Sequence, residues 1–302
     1  MKKKIVQSDL LLILTAAIWG FAFVAQRVGM RYIGPFIFNG IRFALAAVFL
    51  IPLVLIKKRR SASRELWNSG NIIRSGLFAG LFLFAGSSFQ QVGVVFTTAG
   101  KAGFITGLYV VIVPLAGLLL WRERTGTGTW IGAVLAVAGL YLLTIGRDFI
   151  PQKGDLLVLA GAFFFAGHVI AIGKLCRRID PLALALVQCL TCSILSLGVS
   201  AVFESNSAGA IMKAAVPIIY GGIFSVGMAY TFQIFAQRYA PASHASVIMS
   251  FEAVFAVLGG WLILGEVLSG RGIFGCILMF AGMILSQISV RRERAECKSR
   301  NN

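Results

Sequence analysis

Residues 8–13 read SDLLLI, and residues 154–159 read GDLLVL, 146 positions later. The same spacing pairs Asp9 with Asp155, Trp19 with Phe165 and Pro35 with Pro181. Further along, SFQ at Ser88 returns as TFQ at Thr231 with an offset of 143, which persists to Glu123 and Glu266 at the ends of LLLWRE and LILGE. A three-residue deletion in the second copy, between its second and third apolar blocks, reconciles the two offsets. Constant offsets over two long stretches indicate a tandem duplication rather than chance likeness between apolar segments. The copies cover residues 1–147 and 148–290, followed by a basic tail, 291–302.

The duplicated unit is made for lipid. Of 302 residues, 58% are hydrophobic and 13% charged, with a mean hydropathy of +0.86. Soluble domains lie nearer 45–50% apolar and about 25% charged. The excess falls in ten blocks, at 9–27, 35–56, 73–95, 102–121, 129–146, 155–173, 181–203, 215–237, 245–265 and 271–290. Each approaches the ~20 residues that cross a hydrocarbon core of about 30 Å as a helix. The longest separators, Lys57–Asn71 and Glu204–Ala214, hold no soluble catalytic domain. Five spans per copy is an odd number, so the second copy enters the membrane from the opposite side. The expected fold is therefore an all-α integral membrane protein, ten transmembrane helices in two inverted five-helix repeats, as in many secondary transporters.

A net charge of +17 could suggest nucleic acid, but the basic residues sit in the short gaps between apolar blocks. With the N-terminus cytoplasmic, twenty of the 28 Lys and Arg fall inside. Seven fall outside (Arg27, Arg31, Lys101, Arg147, Lys153, Lys213 and Arg271), and Arg42 lies within the second block. That asymmetry is the positive-inside pattern, and it places both termini in the cytoplasm and excludes a nucleic-acid partner. The N-terminal run has the basic start of a signal peptide, but its apolar core continues past Trp19 and Phe23 without a small-residue cleavage site, so it reads as a retained helix. Cys189 and Cys192 form CLTC without the second pair that zinc needs. No cofactor is expected.

Energy supply narrows the function. TAGKAG around Lys101 and AIGKLC around Lys174 lack the upstream Gly and the Ser/Thr of a P-loop, so movement of a solute would follow gradients. A membrane-embedded enzyme would need clustered acids or a His–acid pair near an interface. The two histidines are far apart in sequence, so an enzyme is the weakest alternative, behind a channel or a non-transporting membrane protein.

Candidate substrate-binding residues are the polar and aromatic side chains that a span would not otherwise carry. Glu252 lies about 12 Å along a helix from His244, deep enough to be costly in lipid. It reads as a proton-coupling or amine-recognising carboxylate, or as an acid paired with a neighbouring helix. Arg42 reads as a partner for Glu252 or for a substrate carboxylate, or as a snorkelling side chain that pins a helix end. Gln90 and Gln233 occupy equivalent repeat positions and could hydrogen-bond a polar substrate or join helices. Trp19 and Phe23 share a helix face and, with Phe165, Tyr230 and Tyr109, could pack on a substrate. His168 reads as a proton carrier or as a histidine satisfied by a backbone carbonyl. Glu123 and Glu266 read as interfacial caps. Gly76–Gly80, Gly103–Gly107 and Gly259–Gly260 read as close helix contacts.

AAIWGFAFVAQ (16–26), IRFALAAVFLIP (41–52), TTAGKAGFITGLYVVIVPLAGLLLWRE (97–123) and FEAVFAVLGGWLILGE (251–266) together resemble the drug/metabolite transporter superfamily. Within it the chain is similar to the EamA-type ten-helix permeases of bacterial inner membranes, over residues 9–290. The resemblance implies a basket of ten helices around a central cavity lined mainly by helices 1, 3, 4, 6, 8 and 9. It also implies a small-molecule substrate, an amino acid or amine foremost, exported with an ion gradient in which protons are a candidate coupling ion. One departure is Ala253, where many relatives have Pro after the helix 9 acid, so the helix break expected there is in question. The charge asymmetry predicts that a fluorescent protein fused after the tail fluoresces and that alkaline phosphatase at the same site is inactive. The opposite result would reverse the assigned topology.

Overall fold

The structure, a computed structural model, describes residues 2–60, 69–121, 126–144, 152–205, 207–265 and 269–300. Glu123 and Glu266, read as interfacial caps, lie outside the described residues, as do Arg122, Arg124, Arg147 and most of the Lys57–Asn71 separator. Among the described residues the chain is helical and has no strand.

The first half comprises α1 (Lys2–Gly29), α2 (Pro35–Arg60), α3 (Ser69–Val95), α4 (Ala99–Gly107), α5 (Tyr109–Trp121) and α6 (Thr127–Thr144). In the second half, α7 (Lys153–Leu175) and α8 (Pro181–Phe203) precede two short helices, α9 (Ala208–Lys213) and α10 (Ala215–Ile219). A π-helical stretch (Tyr220–Ala229) then runs into α11 (Tyr230–Gln237), followed by α12 (Ala242–Met249), α13 (Glu252–Leu264) and α14 (Gly270–Arg300). The basic tail thus continues α14 through Arg300.

Among the described residues, eight helical segments are long and apolar enough to cross a membrane: 4–29, 35–59, 69–95, 99–119, 153–175, 181–203, 215–237 and 242–264. Thr127–Leu142 and Gly270–Ser286 are shorter apolar helices. Large apolar side chains such as Val48, Leu119, Ile194, Val202 and Leu262 are exposed on the outside of the bundle, as lipid-facing residues would be. The protein is a multi-pass helical membrane protein.

Two of the eight are interrupted at repeat-related points. Leu108 separates α4 from α5, and Ser250–Phe251 separate α12 from α13; Leu108 and Phe251 are 143 residues apart. At both breaks the backbone tightens to the shorter hydrogen-bond spacing of a 3₁₀ turn, with Leu108 N–H donating to Ile105 O (3.2 Å) and Phe251 N–H to Ile248 O (3.2 Å). The break before Glu252 therefore forms without proline, with Ala253 after the acid. Ser250 supports it by donating its hydroxyl to Val247 O (2.8 Å).

Acids tie the antiparallel pair α2 and α8 at both ends. Glu204, just beyond α8, accepts from Phe36 N (2.9 Å) and Ile37 N (2.7 Å), which would otherwise be unsatisfied donors at the start of α2. Asp180 caps α8 through Leu182 N (2.9 Å) and also pairs with Lys57 near the end of α2 (2.7 Å). Arg27, in the last turn of α1, donates to Val94 O (2.6 Å) and to the Thr97 carbonyl, so it closes the C-terminus of α3.

Glycine sets the closest crossings. A methyl placed on Gly76 or Gly80 would strike Val187 (2.4 Å) or Thr191 (2.6 Å) of α8. Between α6 and α14 the backbones themselves meet: a Cβ on Gly132 would lie 2.6 Å from Gly282 O, and one on Gly282 would lie 2.6 Å from Gly132 O. Gly132→Ala should therefore lower stability by about 1–3 kcal/mol, the cost of overpacking. Gly198→Ala, with nothing within 4 Å, should be neutral or raise it by up to ~1 kcal/mol. Thermal unfolding in detergent measures both. Equal responses would mean that the α6–α14 crossing is looser than described.

Candidate functional site

A cavity of about 40 Å³ lies between the two halves. Four elements of the first half reach it: α1 with Trp19, Phe23 and Gln26, α2 with Arg42, α3 with Gln90, and the α4–α5 break with Thr106 and Tyr109. From the second half come Phe165, His168 and Val169 of α7, Ser225 of the π stretch, Tyr230 and Gln233 of α11, and Glu252 at the head of α13. All ten residues nominated from sequence are therefore on one wall-to-wall surface. Gln26, Thr106, Val169 and Ser225 were not nominated. A volume of this size holds a water or two rather than a metabolite, so a solute enters only when side chains or helices move apart.

The two breaks place the chemistry. Tyr109 opens α5 and Glu252 opens α13, at the same 143-residue offset that relates the breaks themselves. A helix start directs unpaired N–H groups and the positive end of its dipole toward an acid in the first turn. Glu252 is buried beside the Tyr109 hydroxyl, and its Oε1 is unsatisfied. α1 passes against this point: a Cβ on Gly20 would lie 2.6 Å from Glu252 O.

Arg42 is buried across the cavity and has no ion-pair partner among the described residues. It does not pair with Glu252, and it does not snorkel to a helix end. Its guanidinium is held between aromatic faces, 5.4 Å from the Phe38 ring and 5.3 Å from Phe43, contacts that favour a cation modestly. Its Nε is unbonded.

The π stretch makes room for it. A Cβ on Gly221 would lie 3.3 Å from Arg42 Cδ, and one on Gly222 would lie 3.0 Å from Arg42 O. The same wide turn presents Ser225 O to the Trp19 indole N–H (3.0 Å) and Ala229 O to Thr15 Oγ1 (3.3 Å). Apolar periodicity does not distinguish a π from an α helix, so only the Gly221–Gly222 pair hinted at this feature.

The remaining polar groups are partly engaged. Gln90 donates to Thr106 Oγ1 (3.0 Å), and Gln233 donates to Gln237 Oε1 (3.0 Å) while its own Oε1 is free. His168 meets Gln188 Oε1 at 3.0 Å rather than a backbone carbonyl, and its other nitrogen is unpartnered. Gln188 is the repeat counterpart of Arg42. Tyr230 joins the aromatic wall, 4.8 Å from Trp19 and edge-on to His168 at 5.7 Å. Cys189 and Cys192 are buried on α8 and reach no metal-binding cluster among the described residues.

A second hollow of about 600 Å³ opens beside the end of α7 and the α11–α12 turn, with Ile170, Lys174, Arg177, Arg178 and Ala242 on its walls. Val169 faces the cavity and Ile170 the hollow. Gln237, donating to Val169 O (2.9 Å), sits in the layer between them.

Comparison with known proteins places this geometry. A solved crystal structure superposes with a TM-score of 0.77 at 19% identity, covering 94% of this chain and 98% of its own, which shows a shared fold. The chain is 31% identical over 283 residues to an uncharacterized transporter of Archaeoglobus fulgidus, covering 94% of this chain and 86% of the relative. It is 26% identical to the uncharacterized transporter YoaV of Bacillus subtilis, covering 92% and 95%. Identity is also 26% to a probable amino-acid metabolite efflux pump of Salmonella typhimurium, covering 94% and 96%. The profile of the EamA-like transporter family matches residues 7–145 and again residues 152–287. With both matches together covering most of its length, the chain belongs to the EamA-like transporter family.

Proposed function

We propose that the protein is a secondary transporter that exports small metabolites, amino acids foremost, by alternating access around the central cavity. The observation that carries this reading is a buried arginine without an ion pair among the described residues, Arg42, and a buried acid, Glu252, on the wall of one hollow. A buried charge without a partner is costly. A solute offering a carboxylate to Arg42 and an ammonium to Glu252 relieves that cost at both poles. The planar guanidinium suits a carboxylate, and Trp19, Phe23, Phe165 and Tyr230 supply an apolar wall for a side chain. The name of the Salmonella relative agrees.

The architecture we infer is ten transmembrane helices in two inverted repeats, residues 1–147 and 148–290, with the tail at 291–302 and both termini in the cytoplasm of a bacterial cell. Three observations support it. The family profile matches twice. The helix breaks and their first residues recur 143 positions apart. Contacts also come in related couples, α1 against α13 and α5 against α7, or α3 against α7 and α1 against α11. The two shorter apolar helices complete the ten at about 24–26 Å each, near the lower limit for a span. Sites at the interface of inverted repeats let two oppositely facing states lie close in energy. Glu252 is the group we assign to proton coupling.

Counterflow in proteoliposomes tests this. Preloaded amino acid should drive saturable uptake of labelled amino acid, whereas a pore would show none. Glu252→Gln should lower the rate about tenfold or more, equivalent to ~1.4 kcal/mol, and remove the response to an imposed pH gradient. Arg42→Gln should lose discrimination between an amino acid and its decarboxylated amine. An unchanged rate and pH response in Glu252→Gln would overturn the carboxylate's role.

A further inference from the structure

Two sets of charged groups away from the cavity lie at opposite ends of α1 and α7. At the first end His244 is bonded on both sides, Nε2 to Asp9 Oδ1 at 2.9 Å and Nδ1 to Ser286 Oγ at 3.1 Å. Ser286 in turn lies 3.4 Å from Thr129 Oγ1. The set thereby joins α1, α12, α14 and α6, with Asp9 and His244 both buried. Two residues before His244, Ala242 lines the open hollow.

The second set lies at the other end of the bundle, beside Arg27, about 27 Å further along α1 than Asp9. Here Asp155 accepts from Thr97 Oγ1 (2.6 Å) and from Gln152 N (2.9 Å), and its Oδ2 lies 3.8 Å from Lys101 Nζ. The two sets are repeat counterparts. The 146 offset relates Asp9 to Asp155, and the 143 offset relates Lys101 to His244. In each, an acid near the start of the first helix of one repeat meets a base near the start of the fourth helix of the other.

Being related does not make them equally engaged. Asp9–His244 is in direct hydrogen-bond contact, its side chains 7% and 1% exposed. Asp155–Lys101 is separated beyond hydrogen-bond range, with the lysine 19% exposed. One pair is a direct hydrogen bond and the other a longer ion pair.

We propose that Asp9–His244 and Asp155–Lys101 are the two gate latches of the carrier, engaged alternately at opposite ends of the cavity. This rests on the alternating-access reading above. In the state described the Asp9–His244 pair is the one in direct hydrogen-bond contact. These are positioning residues: each acts through the helices it clasps and touches no solute. Breaking one latch biases the equilibrium toward the state open at that end, and breaking the other biases it the opposite way.

The test uses full-length protein in liposomes with the native cysteines replaced and one cysteine introduced as Val169→Cys. Its labelling by a membrane-impermeant maleimide is timed from each face. Asp9→Asn should raise labelling from the cytoplasmic face about tenfold, the ~1.4 kcal/mol of one charge-assisted hydrogen bond. Asp155→Asn should lower it by a similar factor. The exchange Asp9→His with His244→Asp should restore the starting rate. Shifts in the same direction, or none in either variant, would overturn the proposal. Should Asp9→Asn fail to fold, His244→Gln substitutes for it: it must raise labelling from the cytoplasmic face in the same way, and unaltered labelling is again a refutation. Labelling needs no transported solute. Absent counterflow in the unmodified protein therefore counts against the transport reading alone.

Discussion

Inside a lipid-embedded bundle there is no water to answer a polar group, so every donor and acceptor must find its partner in the protein. Most of the structure satisfies that constraint. Arg27 closes the end of α3, Glu204 the start of α2, Asp180 the start of α8, and Gln237 a carbonyl of α7. Against this background Arg42, with no ion pair among the described residues, and the buried acid Glu252 share one surface, each with an unbonded atom. Their separation is maintained by packing: aromatic rings hold the guanidinium in place, and the break before Glu252 fixes the carboxyl. Such an arrangement costs stability in the empty protein and gains it when a complementary solute arrives.

The helix breaks connect backbone geometry to that site. A continuous α-helix through 242–264 would satisfy its own amides and leave no helix start inside the membrane. Tightening at Ser250–Phe251 creates one, and the Ser250 hydroxyl supports the turn from within. The related break at Leu108 brings Tyr109 to the corresponding place. Irregular backbone at membrane depth is tolerated where it lines a cavity, and both breaks do. The π stretch adds a third departure, fitted to Arg42 by glycine.

Sequence carried the fold further than the details of the site. Block lengths, positive loops and fixed offsets give helix positions because hydrophobic length and repetition are written directly in residue order. The interrupted eighth span still occupies 215–237 as expected, since a π turn alters hydrogen-bond spacing without altering hydropathy. Unusual polarity in apolar runs led to Trp19, Arg42, Gln90, His168 and Glu252, and the structure brings them to one cavity. Ser225 and Thr106 were illegible because small hydroxyl residues are ordinary in membrane helices. The partner of His244 was equally hidden: Asp9 is 235 residues away, and only the folded chain places them together. His168 shows the reverse, since its partner Gln188 is a side chain on the next helix rather than the local backbone.

The central claim is that the cavity is built for a solute with both charges. Ligand-dependent thermal stabilisation of the detergent-purified protein measures this without requiring transport, since binding to the folded state raises its stability by mass action. A free amino acid should raise the melting temperature in a saturable manner. Its amide and its N-acetyl derivative, each lacking one charge, should raise it far less. Equal stabilisation by all three, or by none, would contradict the account.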